Sequence, residues 1–124
     1  MRIRFATVMM AMALALPALF APPPLGAAEL VMFEAPGCTY CRMWNHDLGP
    51  IYPKTTEGAR APLRRVTIAK QKGVSGLERP IIHTPTFVLM DHGKEVGRIR
   101  GYMGDEFFWA MLDNLLEKLP KSGS

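Results

Sequence analysis

Cys38 and Cys41 are the chain's two cysteines, and they follow directly on a short apolar run and the breaker pair Pro36-Gly37. This placement constrains the fold more than any other feature. Residues 29–34 read as a buried strand that Pro36-Gly37 ends. From Cys41 to about residue 48 the helix formers carry Trp44 and Leu48 on one face, and Gly49-Pro50 kinks or ends that helix. The pair therefore sits where a strand turns into a helix, and its spacing lets the sulfurs meet across one helical turn. Two cysteines are too few for a disulfide-dense mini-protein or a four-cysteine zinc site.

The compartment follows from the other end of the chain. Arg2 and Arg4 precede an uncharged stretch from Phe5 to Ala28, apolar to Phe20 and broken by Pro17 and Pro22-Pro23-Pro24. Gly26 and Ala28 then offer small residues for signal peptidase. Residues 1–28 are thus expected to be a cleaved signal peptide, with a cut before Glu29 or, alternatively, after Ala27. An uncleaved anchor is the other reading, but a span needs ~20 apolar residues and the prolines interrupt this one early. Losing Arg2 and Arg4 takes 15 basic residues to 13 against 11 acidic ones, a balance of +2. That is too mild to point to nucleic acid. Four of the nine Met also fall in the leader, so no copper-binding Met box remains. The expected destination, a periplasm or the cell exterior, is oxidising.

Residues 29–120 are expected to form one domain, with 121–124 a flexible tail. Residues 64–69 alternate, with Val66 and Ile68 on one face, and read as a second strand. Residues 70–79 read as loop or a short helical turn. Residues 86–90 and 95–100 read as two more strands joined by a turn at 91–94. From Gly104-Asp105 onward Phe108, Met111, Leu112, Leu115 and Leu119 recur at helical steps. The order β-α-β then β-β-α predicts an α/β fold, a mixed four-stranded sheet with flanking helices.

A helix N-terminus favours anions, so its exposed N–H groups lower the pKa of Cys38 below the ~8.5 of a free thiol. Cys38, at the tip, would attack a disulfide, and Cys41, one turn inward, would displace the partner. A structural disulfide and half of a zinc or copper site have the same spacing. A metal needs more ligands, and His46, His83 and His92 show no paired spacing. Thr84-Pro85-Thr86 opens an apolar strand, where a proline forfeits a ladder hydrogen bond. A cis Thr84-Pro85 bond would account for it, freeing the Thr84 backbone to pair with an incoming strand; an ordinary trans proline at a strand start is the alternative.

Together, Phe33-Glu34-Ala35-Pro36-Gly37-Cys38-Thr39-Tyr40-Cys41 and the downstream Thr84-Pro85-Thr86 resemble the thioredoxin-like superfamily, in a short form lacking the first strand and helix. The resemblance implies a thioredoxin-like fold and a redox-active Cys38–Cys41 disulfide. It also implies a cis Pro85 beside the nucleophile. Thr84, Pro85, Tyr40 and Thr39 are the expected substrate-binding residues, with no metal and no cofactor. Tyr40 and the stretch Gly101-Tyr102-Met103-Gly104-Asp105 are similar to the periplasmic thioredoxins of sulfur-oxidation (Sox) gene clusters. That implies a reductase of partner-protein disulfides, notably on a Sox carrier protein, recharged by a membrane thiol-electron transporter. With no added dimerisation domain, a monomer is expected. Isomerases and oxidases carry the same residues, so direction stays open. So does a non-enzymatic metal carrier using the two cysteines and a histidine.

One departure from the family pattern stands out. Thioredoxins commonly carry an acid six residues before the first cysteine, where this chain has Met32; Glu34 is the nearest substitute. Trp44 reads as core. His46 reads as solvated, and His83 lies close to the expected site. Arg60, Arg64, Arg65, Lys70 and Lys72 form a basic stretch without an acid between Glu57 and Glu78, read as a solvated edge or a docking patch for an acidic partner. Phe107, Phe108 and Trp109 are consecutive and cannot all face one core.

Overall fold

A computed structural model describes residues 27–121. The expected leader, apart from Ala27 and Ala28, and residues 122–124 lie outside them. Strand β1 (Ala28–Glu34) is followed by helix α1 (Thr39–Asp47), a 3-10 turn (Tyr52–Lys54), a short helix α2 (Thr56–Arg60) and strand β2 (Leu63–Thr67). A second 3-10 segment (Ile68–Gly73) leads through a loop to strands β3 (Thr86–Asp91) and β4 (Lys94–Arg100) and helix α3 (Asp105–Leu116).

The sheet order is β2-β1-β3-β4. β1 and β2 are parallel, as a crossover demands, whereas β1–β3 and β3–β4 are antiparallel. This is the mixed four-stranded sheet expected from the element order. The β3–β4 turn places His92 and Gly93 at φ 51° and 75°, the doubly left-handed geometry of a tight hairpin.

Alternation along β1 sends Leu30 and Met32 to one face and Val31 and Phe33 to the other. On the first face α1 and α3 close the main core. Trp44 packs at 5.1 Å from Phe87 and 5.5 Å from Phe108, ring centre to ring centre, and Phe87 lies 4.9 Å from Phe108. Such tilted aromatic pairs each add ~1 kcal/mol beyond area burial. Trp44 is therefore core, and Phe107, Phe108 and Trp109 split between solvent, core and partial burial. The second face is covered by the connection between β2 and β3, through Val74 and Ile81.

Several boundaries differ from the sequence reading. α1 begins at Thr39 rather than Cys41, because Cys38 caps it. Residues 52–60 hold the 3-10 turn and α2, elements that the sequence reading did not place. Thr55 caps α2, its Oγ1 accepting the Gly58 N–H at 3.0 Å. β2 runs 63–67 rather than 64–69: β1 ends at Glu34 opposite Thr67, so Ile68 and Ala69 have no strand to pair with and curl into the 3-10 segment. α3 ends at Leu116, yet Leu119 still folds back into the core.

Candidate functional site

The topology gathers three loops at one end of the sheet. β1 leaves the sheet at Glu34, where Phe33 faces Thr86, the first residue of β3. Thr86 in turn faces Arg100, the last residue of β4. The loop carrying Cys38, the loop carrying Pro85 and the loop at 101–104 therefore emerge side by side. The Gly101 N–H donates to the Pro85 carbonyl at 2.7 Å and ties the last two together.

Gly37 makes the first loop possible. Its φ of 77° turns the chain from strand into helix in a conformation that L side chains rarely adopt. Cys38 then takes the helix cap in extended geometry, its carbonyl accepts the Arg42 N–H at 3.2 Å, and its Sγ accepts the Cys41 N–H at 3.1 Å. The two Sγ atoms are bonded as a disulfide, with Cα atoms 5.2 Å apart. Cys38 is half-buried, while Cys41, one turn on, is 3% exposed within the core. No acidic side chain occupies the first turn of α1. The helix N-terminus therefore faces the sulfur of Cys38 without a competing negative charge. On reduction, this geometry gives an accessible sulfur beside backbone N–H donors and a second sulfur sheltered behind it.

The Thr84–Pro85 bond is cis. Pro85 is buried and Thr84 half-buried, and Thr86 Oγ1 donates to the His83 carbonyl at 2.6 Å. Thr39 and Tyr40 are exposed, Tyr40 at 57%, and Ile82 at 76% and Met103 at 74% add apolar surface on the neighbouring loops.

Met32 lies fully buried in the cluster that contains Cys41. Glu34 is already engaged: its Oε1 accepts from Asn45 Nδ2 at 2.8 Å and from Arg65 Nη1 at 3.0 Å. Arg65 also donates to Asn45 Oδ1 and lies 5.8 Å from the centre of the Trp44 ring. Three of the five basic residues of that stretch have partners within the chain. Arg64 pairs with Glu29, Arg65 with Glu34, and Arg60 donates to the Leu116 carbonyl.

Sequence reasoning missed a second basic group. Arg79, Arg98 and Arg100 line a cleft beside His83 and Ile82. Arg98 and Arg100 stand two apart on β4 and Arg79 lies on the loop before β3, so no single charge run announced all three; the fold brings Arg79 to the face of β4. Among the described residues, no three His, Cys, Asp or Glu side chains gather to hold a metal ion. His46 and His92 instead sit against the adjacent Asp47 and Asp91.

A family model described as a thioredoxin-like domain matches residues 26–116. Compared by sequence with curated proteins, the chain has no match. Among solved structures it is similar to the periplasmic thioredoxin SoxS from Paracoccus pantotrophus, with 45% identity and a TM-score of 0.70, covering 73% of this chain and 96% of that one. Trxlp from Edwardsiella tarda is 25% identical (TM-score 0.54, covering 73% and 82%). Thioredoxin f2 from Chlamydomonas reinhardtii shares the fold at 19% identity, with a TM-score of 0.57 and coverage of 77% and 83%.

Proposed function

We propose that this chain, which belongs to the thioredoxin-like family and is a thiol-disulfide oxidoreductase, works in the periplasm as a reductase of disulfides on partner proteins. One observation carries the reading: a disulfide at the N-terminus of α1, with Cys38 at the surface and Cys41 behind it. In the reduced protein the Cys38 thiolate attacks one sulfur of the partner disulfide and the other sulfur leaves as a thiolate. Cys41 then attacks Cys38 Sγ, its proton passing to solvent or to the departing partner thiolate. The partner leaves with two thiols and the Cys38–Cys41 disulfide is formed. Thr84 offers its backbone to the partner strand beside Pro85, and Tyr40 and Thr39 border the docking surface.

The direction and the setting rest on the likeness to a periplasmic thioredoxin. The chain is exported by residues 1–28, which are then removed, and acts as a monomer. Its substrate is a protein disulfide, on the carrier of a sulfur-oxidation system, and a membrane thiol transporter restores the dithiol.

Four measurements test this. Cys38→Ser abolishes reduction of a protein disulfide such as that of insulin; full activity in that variant would sink the mechanism. Cys41→Ser accumulates a mixed disulfide with the partner, which mass spectrometry then identifies. A reduction potential near that of thioredoxin, about −270 mV, fits a reductase, whereas one at or above about −180 mV belongs to an isomerase or oxidase. N-terminal sequencing of the exported protein tests the cut before Glu29.

A further inference from the structure

Next to the Thr84–Pro85 segment the surface sinks into a cleft with Arg79, His83, Arg98 and Arg100 on its walls and Pro80 and Ile82 among them. Arg100 also lines the adjoining hollow, with Tyr40, Tyr102 and Met103. The two hollows share that arginine and make one trough. It starts at Tyr40 in the redox motif and runs past His83 to Arg79.

The charges in this trough are unequal in their commitments. Arg98 belongs to the framework: its Nε and Nη2 donate to the two carboxylate oxygens of Glu95 at 2.5 and 2.9 Å. It also donates to the carbonyls of Arg79 and Pro80 at 2.9 and 3.4 Å. Glu95 is thereby neutralised, its remaining contact being the Glu78 backbone N–H at 2.8 Å. Arg79 and Arg100 are exposed, and neither pairs with a carboxylate among the described residues. No acidic residue lines either hollow. Ile82, 76% exposed, adds an apolar side chain to the lining.

We infer that this trough recognises an extended acidic stretch flanking the disulfide of the partner protein. The inference rests on the exchange reading above. A strand paired to the Thr84 backbone and attacked by Cys38 must leave the site over one of the neighbouring loops, and on this side it meets Arg100 and Arg79. Carboxylates there find two unpaired guanidinium groups. Charges on the rim of an interface act chiefly on the association rate and are screened by salt. The trough therefore sets which disulfides react fast, while the sulfur chemistry is common to all.

The test uses reduced Cys41→Ser protein and three peptides identical except for Glu, Gln or Lys on both sides of one cysteine. Each cysteine is activated as its 2-thiopyridyl mixed disulfide. The Cys38 thiolate attacks the peptide sulfur and is oxidised to a mixed disulfide. The thiopyridyl sulfur is reduced and leaves as thiopyridone, whose absorbance gives the rate. Rates are divided by those with uncharged 2,2′-dithiodipyridine, which calibrates thiol reactivity in every variant. At low salt the Glu peptide is expected to react about ten-fold faster than the Lys peptide, with Gln between. At about 1 M salt, where the Debye length falls to ~3 Å, the ratio approaches one. Arg79→Gln with Arg100→Gln removes the preference, and Arg79→Lys with Arg100→Lys keeps most of it.

Equal peptide rates in the unmutated trough would overturn the inference, as would a preference that survives the double glutamine variant. So would loss of the Glu preference on adding millimolar sulfate when chloride at equal ionic strength leaves it intact, since the trough then holds a small oxyanion instead of a protein segment. A Cys41→Ser protein inert to dithiodipyridine sinks the exchange reading itself. Reaction with that reagent but no peptide preference sinks the trough alone.

Discussion

Tyr102 shows how one side chain can hold the site together. Its ring is buried and its hydroxyl donates to Asp47 Oδ2 at 2.9 Å, joining the loop after β4 to the last residue of α1. Burial first, and then the Asp47 carboxylate, push the phenol pKa up to about 12. A hydrogen bond from His46, followed by that from Tyr102, holds Asp47 below the usual carboxylate range. For Tyr102 the folded pKa exceeds the unfolded value of ~10, so the folded state keeps a proton that the unfolded chain loses. Its stabilisation is complete below about pH 10 and is lost as the pH climbs toward 12. Tyr102→Phe is therefore expected to cost about 1 kcal/mol near neutral pH through the lost hydrogen bond. The gap to the unsubstituted protein closes between about pH 10 and about pH 12 in urea unfolding. A gap that stays constant across that range would show that Tyr102 does not titrate as the contact requires. At the same scale, the absence of an acid at position 32 was visible in the sequence. That Glu34 is spoken for by Asn45 and Arg65 was not, because those partners come from other elements.

Among the elements, the β3–β4 hairpin carries the most concentrated charge chemistry. The side chains of Glu95 and Arg98 are 1% and 7% exposed. Burial raises the Glu95 pKa, but the hydrogen bonds from Arg98 and the Glu78 N–H, together with the charges of Arg98 and, less strongly, of Arg79, outweigh it and leave the pKa lowered. A lowered acid contributes stability that is present above the unfolded value, ~4.3, and is lost as the pH falls through the folded one. Glu95→Gln strands a buried guanidinium and is expected to cost about 3 kcal/mol at pH 7. That penalty shrinks as the pH falls below ~4.3, where the unfolded chain takes up its proton first and the stabilisation from the pair declines; chemical denaturation at pH 7 and at acid pH measures it. The hairpin itself was legible, since Asp91-His92-Gly93-Lys94 between two alternating runs spells a tight turn. The slip in register between Leu89 and Met90, which skips Val96, was not. α2 escaped notice because five residues are too few for a helical period, and its one signal, Thr55 as a cap, is common in loops.

At the scale of the whole molecule the redox pair is peripheral to stability. The Cys38–Cys41 ring spans a sequence separation of three, and so short a loop removes little entropy from the unfolded chain. Loop-closure entropy puts the difference between oxidised and reduced protein at about 2 kcal/mol. The main core is built mostly of other residues, Leu30, Met32, Trp44, Phe87, Phe108 and Leu112 among them. Urea unfolding with and without a reductant checks this: the reduced protein remains a cooperatively folded domain, and collapse on reduction would contradict it. The sequence alone determined the order of the four strands and the two longer helices, the inward faces and the position of the two cysteines at a strand-to-helix turn. Each of these depends on neighbours a few residues apart, through periodicity, breakers and capping. Tertiary structure decided which distant segments meet. It set Pro85 beside the loop of Cys38, sank Cys41 into the core, paired Arg64 and Arg65 with Glu29 and Glu34 at the surface, and drew Arg79 and Arg100 to one trough. Strand pairing does this by register, bringing residues far apart along the chain to one end of the sheet, and no local pattern records which charges end up facing one another.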